Sequence, residues 1–252
     1  MAARAITFDN DQGLQLDGWI EEPDDGAPRA FAMFAHCFTC NKDYKAPVYI
    51  SRVLADHGIA TLRFDFPGLG GSEGDFAATT FSKNVADVTA AARFLEREFQ
   101  PPRIAIGHSL GGAATLVAAS ALDSVQLVAV LAAPANPVDL SAPLKAAEQQ
   151  ALRDGRGTIA TSAGEFPIDR AFFEDIRTLD LPATVAALDK ALLVFQSPVD
   201  LLVPAANSET IFAAAKQPKS YVAVDGAGHL FNREADARYV AEVVVAWAGR
   251  YL

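Results

Sequence analysis

Cysteine, basic charge and long apolar runs are all in short supply in this chain. Only Cys37 and Cys40 occur in 252 residues, too few for a secreted disulfide framework and consistent with a reducing compartment. The 21 Lys and Arg face 31 Asp and Glu, a formal charge of -10. That balance disfavours nucleic acid and an anionic membrane surface as non-specific partners and mainly serves solubility. No uninterrupted apolar stretch approaches the roughly 18 residues of a membrane span. The opening Met1-Ala2-Ala3-Arg4-Ala5-Ile6-Thr7-Phe8-Asp9 lacks a basic segment followed by a long apolar run. The expectation is a cytoplasmic protein without membrane insertion. Internal repeats and flexible linkers are also missing.

What is present is a large core. With 51% hydrophobic and 21% charged residues, a chain of this size can bury about 70% of its surface and needs neither disulfide nor metal to fold. A single domain over residues 1–252 is expected. Arg4 to Phe8 and Leu14 to Ile20, separated by Asn10-Asp11-Gln12-Gly13, read as an opening hairpin. Ala30 to His36, Ile59 to Phe64, Arg103 to Ile106, Gln126 to Leu131, Ala191 to Phe195 and Ser220 to Val224 read as strands buried on both faces. Between them, Phe81, Val85, Val88, Ala92, Leu95 and Phe99 step by fours and threes along one helix face. Pro47 to His57, Leu110 to Leu122, Asn207 to Lys216 and Arg233 to Trp247 are further helices, the first closed by Gly58. The alternation predicts an α/β fold: a mostly parallel sheet of about eight strands with helices on both faces.

Residues 134–188 break that rhythm, and the interval is too long for an ordinary connection. Leu144 to Leu152 suits a helix, Thr158 to Ile168 a hairpin turning near Ala163-Gly164, and Ala171 to Leu179 another helix. The expectation is a small lid over the strand ends, with an edge extension of the sheet as the alternative. Phe166, Phe172, Phe173 and Leu179 suit either an apolar lid surface or the insertion's private core.

Gly107-His108-Ser109-Leu110-Gly111-Gly112 directly follows a strand and opens a helix. That is the context of a nucleophile elbow, where glycines permit a sharp turn and hold a serine hydroxyl above the sheet edge. A serine hydroxyl needs a base, normally histidine. Of the four histidines, His36 ends a strand, His57 ends a helix and His108 is the variable elbow position. His229, in Asp225-Gly226-Ala227-Gly228-His229 after the last strand, remains as the base. Its orienting carboxylate should lie on a loop at the same edge, and Asp200 in Gln196-Ser197-Pro198-Val199-Asp200 gives the chain order Ser, Asp, His. Asp225 and Asp139 compete, with Asp225 better suited to shaping its own turn. An oxyanion hole calls for the amide of Leu110 and a second amide after an early strand, for which Phe38 in His36-Cys37-Phe38-Thr39-Cys40 is the candidate. The Phe38 ring either lines a pocket or serves packing.

Together with Ser197-Pro198-Val199-Asp200 and the His229 turn, the elbow resembles the serine α/β-hydrolase superfamily, particularly its esterase, monoacylglycerol-lipase-like and S33 aminopeptidase-like branches. The resemblance spans nearly the whole chain. His36 to Asp43, Leu62-Arg63-Phe64-Asp65-Phe66 with Gly68-Leu69-Gly70, and Pro218-Lys219-Ser220-Tyr221-Val222 are similar to the hydrolase half of bifunctional proteins fused to an OsmC-type peroxide-reducing domain. The resemblance implies a carboxylesterase for short- to medium-chain acyl or small aromatic esters, with Phe38 supplying an oxyanion amide. Two departures stand out: Cys37 and Cys40 replace glycines of an H-G-F-T-G loop, and the residues up to Leu252 include no OsmC-type domain, so the expectation is either a free-standing hydrolase or a separated half.

Several other signals weigh less. Cys37-x-x-Cys40 sits at a strand exit rather than a helix start, where the dipole would lower a thiol pKa; small side chains filling the loop are expected. Zinc lacks a second Cys/His cluster. Gly68-Leu69-Gly70-Gly71-Ser72-Glu73-Gly74 departs from a phosphate loop at Glu73, and Asp9, Asp11 and Asp17 lack calcium-loop spacing. The expectation is a cofactor-independent and metal-independent serine esterase of small-molecule esters, with a homo-oligomer or a separate OsmC-type domain as partners. A thioesterase, amidase or peptidase on the same residues remains open. From a different class, so does a binding or redox-regulatory module carried by Cys37 and Cys40.

Overall fold

A computed structural model describes residues 2–137, 142–161 and 164–252. Its centre is an eight-stranded sheet in the order β1-β2-β4-β3-β5-β6-β9-β10. The opening hairpin pairs β1 (Ala2–Asp9) with β2 (Gln15–Glu22), and β2 runs antiparallel to β4 (Ile59–Phe64). From β4 onward every pairing is parallel, through β3 (Ala30–Ala35), β5 (Pro102–His108), β6 (Leu127–Leu131), β9 (Ala191–Gln196) and β10 (Lys219–Ala223). This is the expected α/β-hydrolase arrangement.

The two faces of β3 show why the strands read as continuous apolar runs. Phe31, Met33 and Ala35 pack into one core with Val88 and Leu95 of α2 (Phe81–Glu98) and Ala113 and Ala114 of α3 (Leu110–Ala119). Ala32 and Phe34 pack into a second core with Ile50, Val53 and Leu54 of α1 (Lys45–Asp56) and Val240 and Val244 of α8 (Glu234–Ala248). Period-two alternation thus sends neighbouring residues to opposite helical layers. Fully burying a side chain such as Phe34 contributes roughly 1.5–3 kcal/mol. The α2 stripe forms as its spacing requires, started by the Thr80 hydroxyl accepting from the Lys83 amide at 3.2 Å. Helix α1 begins two residues before Pro47, since proline is tolerated anywhere in a first turn.

The interval between β6 and β9 holds α4 (Ala142–Asp154), an antiparallel pair of β7 (Arg156–Thr161) with β8 (Gly164–Asp169), α5 (Arg170–Ile176) and α6 (Leu181–Ala187). The β7-β8 pair forms its own two-stranded sheet, so it does not extend the main one. The expected hairpin turn includes Ala163, which lies outside the described residues, as does Asp139. Helix α6 escaped the sequence pattern; Pro182 in its first turn and the Asp180 carboxylate accepting from the Ala183 amide at 3.0 Å start it. The last helix before β10 is α7 (Ala205–Ala214).

Candidate active site

Ser109 occupies the single residue between β5 and α3, at φ 55° and ψ -126°. A non-glycine residue at positive φ costs on the order of 1–3 kcal/mol and persists only where its surroundings hold it. Here its amide donates to the Leu131 carbonyl at 2.8 Å. The flanking glycines are steric necessities: a Cβ at Gly111 would strike the His36 carbonyl, and one at Gly107 would lie 2.6 Å from the Cα of Gly112.

The turn after β10 delivers His229 to the same sheet edge, and the turn after β9 delivers Asp200. His229 Nε2 lies 3.1 Å from Ser109 Oγ, and its Nδ1 lies 2.8 Å from Asp200 Oδ2. The other oxygen of buried Asp200 accepts from the amides of Leu202 at 2.8 Å and Val203 at 3.0 Å. Burial alone would raise this carboxyl. The hydrogen bonds and charge of His229, with the two amides, outweigh burial and hold it below the ordinary aspartate value. Asp225 is exposed, and Asp200 takes the Nδ1 side of His229.

A cavity of about 430 Å³ opens over this row. Phe38, Leu144, Ile159, Phe172 and Leu202 are among its walls, and no Asp, Glu, Lys or Arg lines it among the described residues. The Phe38 ring stacks on Phe172 with centroids 5.0 Å apart, and Phe172 is also fully buried. Phe172 therefore belongs to both the cavity wall and the core. Phe173 lies in the core, Leu179 packs against it, and Phe166 meets Phe76 at 5.4 Å. The backbone amides of Phe38 and Leu110 both belong to cavity-lining residues, and neither donates to another backbone carbonyl among the described residues.

The Phe38 loop is anchored from behind by buried polar groups that the sequence pattern did not single out. His36 Nδ1 donates to the Cys37 carbonyl at 2.8 Å, and its Nε2 accepts from the Phe66 amide at 3.3 Å. Burial keeps this imidazole below its ordinary pKa. Asp65, fully buried, accepts from the Lys42 amide at 2.6 Å and from Lys42 Nζ at 2.7 Å, while Asp17 lies 2.6 Å from the same ammonium. Desolvation would lower Lys42, but the hydrogen bonds to Asp17 and Asp65 prevail and push it up to about 12. The glycine-rich turn after β4 serves the same anchor, the Gly71 amide donating to Asp65 at 2.9 Å. A carboxylate takes the place of a phosphate there.

Cys37 and Cys40 correct an expectation. They are joined as a disulfide rather than standing as two small reduced side chains. The Cys40 amide donates to the Cys37 carbonyl at 3.1 Å, closing a reverse turn. Such a turn brings the two Cα atoms to 5.3 Å, within bridging range. The described residues contain no group of three or more His, Cys, Asp or Glu arranged to hold a metal, and no helix long and apolar enough to cross a membrane.

The fold is that of a hydrolase. Residues 31–243 match the profile of the alpha/beta hydrolase family, and the chain belongs to it. The esterase domain of a Rhodothermus marinus protein is 40% identical, with 99% of each chain covered and a TM-score of 0.82. Est1E from Butyrivibrio proteoclasticus, solved with ferulic acid bound, shares the fold at 20% identity, with 98% of each chain covered and a TM-score of 0.82. An uncharacterized Mycobacterium tuberculosis protein is 27% identical over 246 residues, 96% of this chain and 78% of that protein.

Proposed function

We propose that this hydrolase is a serine carboxylesterase for short- to medium-chain acyl or small aromatic esters. The observation that carries the reading is the hydrogen-bonded row from Asp200 through His229 to Ser109 at the base of an apolar cavity. Ser109 Oγ attacks the ester carbonyl while His229 Nε2 takes its proton. The developing oxyanion accepts from the Phe38 and Leu110 amides. Collapse expels the alcohol, which receives the proton back from His229, and leaves an acyl group on Ser109. Water, deprotonated by His229, then releases the acid. Asp200 fixes the ring so that Nε2 faces the serine.

The described walls carry no Asp, Glu, Lys or Arg, which favours neutral acyl groups, because a charged one would lose hydration without gaining a partner there. The insertion of residues 134–188 acts as a lid, since Leu144, Ile159 and Phe172 from it line the cavity. The 40% identity to an esterase domain supports the same chemistry.

The test is hydrolysis of p-nitrophenyl esters from acetate to laurate by the wild type and Ser109→Ala, with fluorophosphonate labelling followed by intact mass. Turnover and one covalent adduct, both lost in Ser109→Ala, are expected. Labelling at Ser109 without ester turnover would move the substrate class to thioesters or amides. Neither activity in folded protein would overturn the reading.

A further inference from the structure

The disulfide between Cys37 and Cys40 encloses Phe38 and Thr39, and all four residues line the cavity with Ser109. Outside the bridge the segment is fixed, at His36 through its two ring hydrogen bonds and at Lys42 through Asp65. Between those anchors the tip keeps the Cys40–Cys37 turn hydrogen bond and the packing of the Phe38 ring on Phe76 and Phe172. Thr39 sits at φ 61°, a conformation in which a β-branched residue is strained. The bridge spans this turn from its first residue to its fourth and ties it covalently.

We propose that Cys37–Cys40 is a redox modification site that gates the hydrolase, the bridged form holding the Phe38 amide in place and reduction releasing it. The inference rests on the serine hydrolase reading above. One thiolate of a small dithiol attacks a bridge sulfur, forming a mixed disulfide and freeing the other cysteine as a thiolate that takes up a proton. The reductant's second thiol then displaces the first sulfur. The products are two cysteine thiols and the reductant as a cyclic disulfide, with two electrons and two protons passed to the protein. A low-molecular-weight disulfide runs the exchange backwards.

Reduction must move the loop. Two thiols cannot remain at the bonding distance of about 2.05 Å, and both cysteines are buried in the cavity wall. The sulfurs part, and strained Thr39 relaxes with the Phe38 amide beside it. His36 and Lys42 stay anchored, so the change is confined to the tip. Because both cysteines line the substrate cavity, the reductant that reaches them is a small molecule entering as a substrate does. A phosphonyl group on Ser109 should therefore slow reduction.

Dithiothreitol is the probe. Alkylation and intact mass should count two new thiols after treatment. The value of kcat should fall roughly 10-fold or more, approaching the 10²–10³ of a deleted oxyanion donor, with KM within about twofold. Activity should return with oxidised glutathione. The double variant Cys37→Ser/Cys40→Ser should hold the low kcat and ignore dithiothreitol, with its melting curve as the control for folding. Thr39→Gly, which relieves the turn, should shrink the loss on reduction. Complete reduction by mass with kcat unchanged or raised overturns the proposal. If the bridged enzyme neither turns over esters nor labels, the esterase reading falls by itself. Hydrogen exchange across residues 36–42 then decides the redox inference: faster exchange on reduction supports it, and unchanged exchange overturns it.

Discussion

His108 Nε2 donates to the backbone carbonyl of His229 at 2.8 Å, so the residue before the elbow serine holds the turn that carries the imidazole. Their rings lie 5.1 Å apart, and Phe231 packs edge-on against His108. Burial, helped by the charge of His229, pushes His108 down to about 3. It stays neutral at any working pH and keeps its Nε2 proton for that carbonyl. His108→Ala should lower kcat/KM roughly 10-fold, the equivalent of a buried hydrogen bond of about 1–2 kcal/mol. His108→Gln, with a donor at similar reach, should recover much of it. Ester turnover from pH 5 to 9 for the three proteins checks this.

Asp200→Asn tests the carboxylate against a mere hydrogen-bond partner. The amide can satisfy the Leu202 and Val203 amides yet cannot stabilise an imidazolium. A drop in kcat of roughly 10³–10⁴ is expected, with melting temperature little changed. A drop under tenfold would remove Asp200 from its proposed role.

Asp65→Ala should be costly to stability. It leaves Lys42, nearly buried, facing Asp17 and Asp43 without the fully buried one of its carboxylate partners, and it frees the Lys42 and Gly71 amides. Breaking one partner of a buried pair typically costs about 3–5 kcal/mol. Urea unfolding measures it, and a loss below about 1 kcal/mol would show that Asp17 suffices.

Asp87 supplies a pH-linked prediction. It is fully buried, accepts from Asn10 Nδ2 at 2.7 Å through one oxygen, and its Oδ2 finds no partner at hydrogen-bond distance among the described residues. Burial raises it from 3.8 to about 6. Between those values the folded protein binds more protons than the unfolded chain, so stability falls as pH rises. The Asp87 contribution is full below about pH 4 and is lost through about pH 6, a swing of roughly 3 kcal/mol. Asp87→Asn should gain about that much relative to wild type between pH 4 and 7, read from urea midpoints.

The elements most legible in the sequence were those with a local cause. β3 was visible as an apolar run because both its faces are covered, and α2 because its stripe faces one core. Ser109 and His229 could be singled out because an elbow and a glycine-rich turn have compositional signatures. The Lys42–Asp65 pair and the His108 clamp could not: their partners lie 23 and 121 positions away, and charge or aromaticity alone does not say which. The i, i+3 spacing of Cys37 and Cys40 fits a bridge and two thiols equally, and the turn geometry decided between them.

Ser109, Asp200 and His229 lie in turns that follow β5, β9 and β10, three strands of one parallel array. The row therefore exists only after crossovers spanning 120 positions have closed, and long-range parallel pairing is slow to form. On the proposed chemistry, a nascent or half-assembled chain carries a serine that is chemically silent. Fluorophosphonate labelling would then count completed molecules, so one gel lane of a refolding time course doubles as an assay of fold maturation.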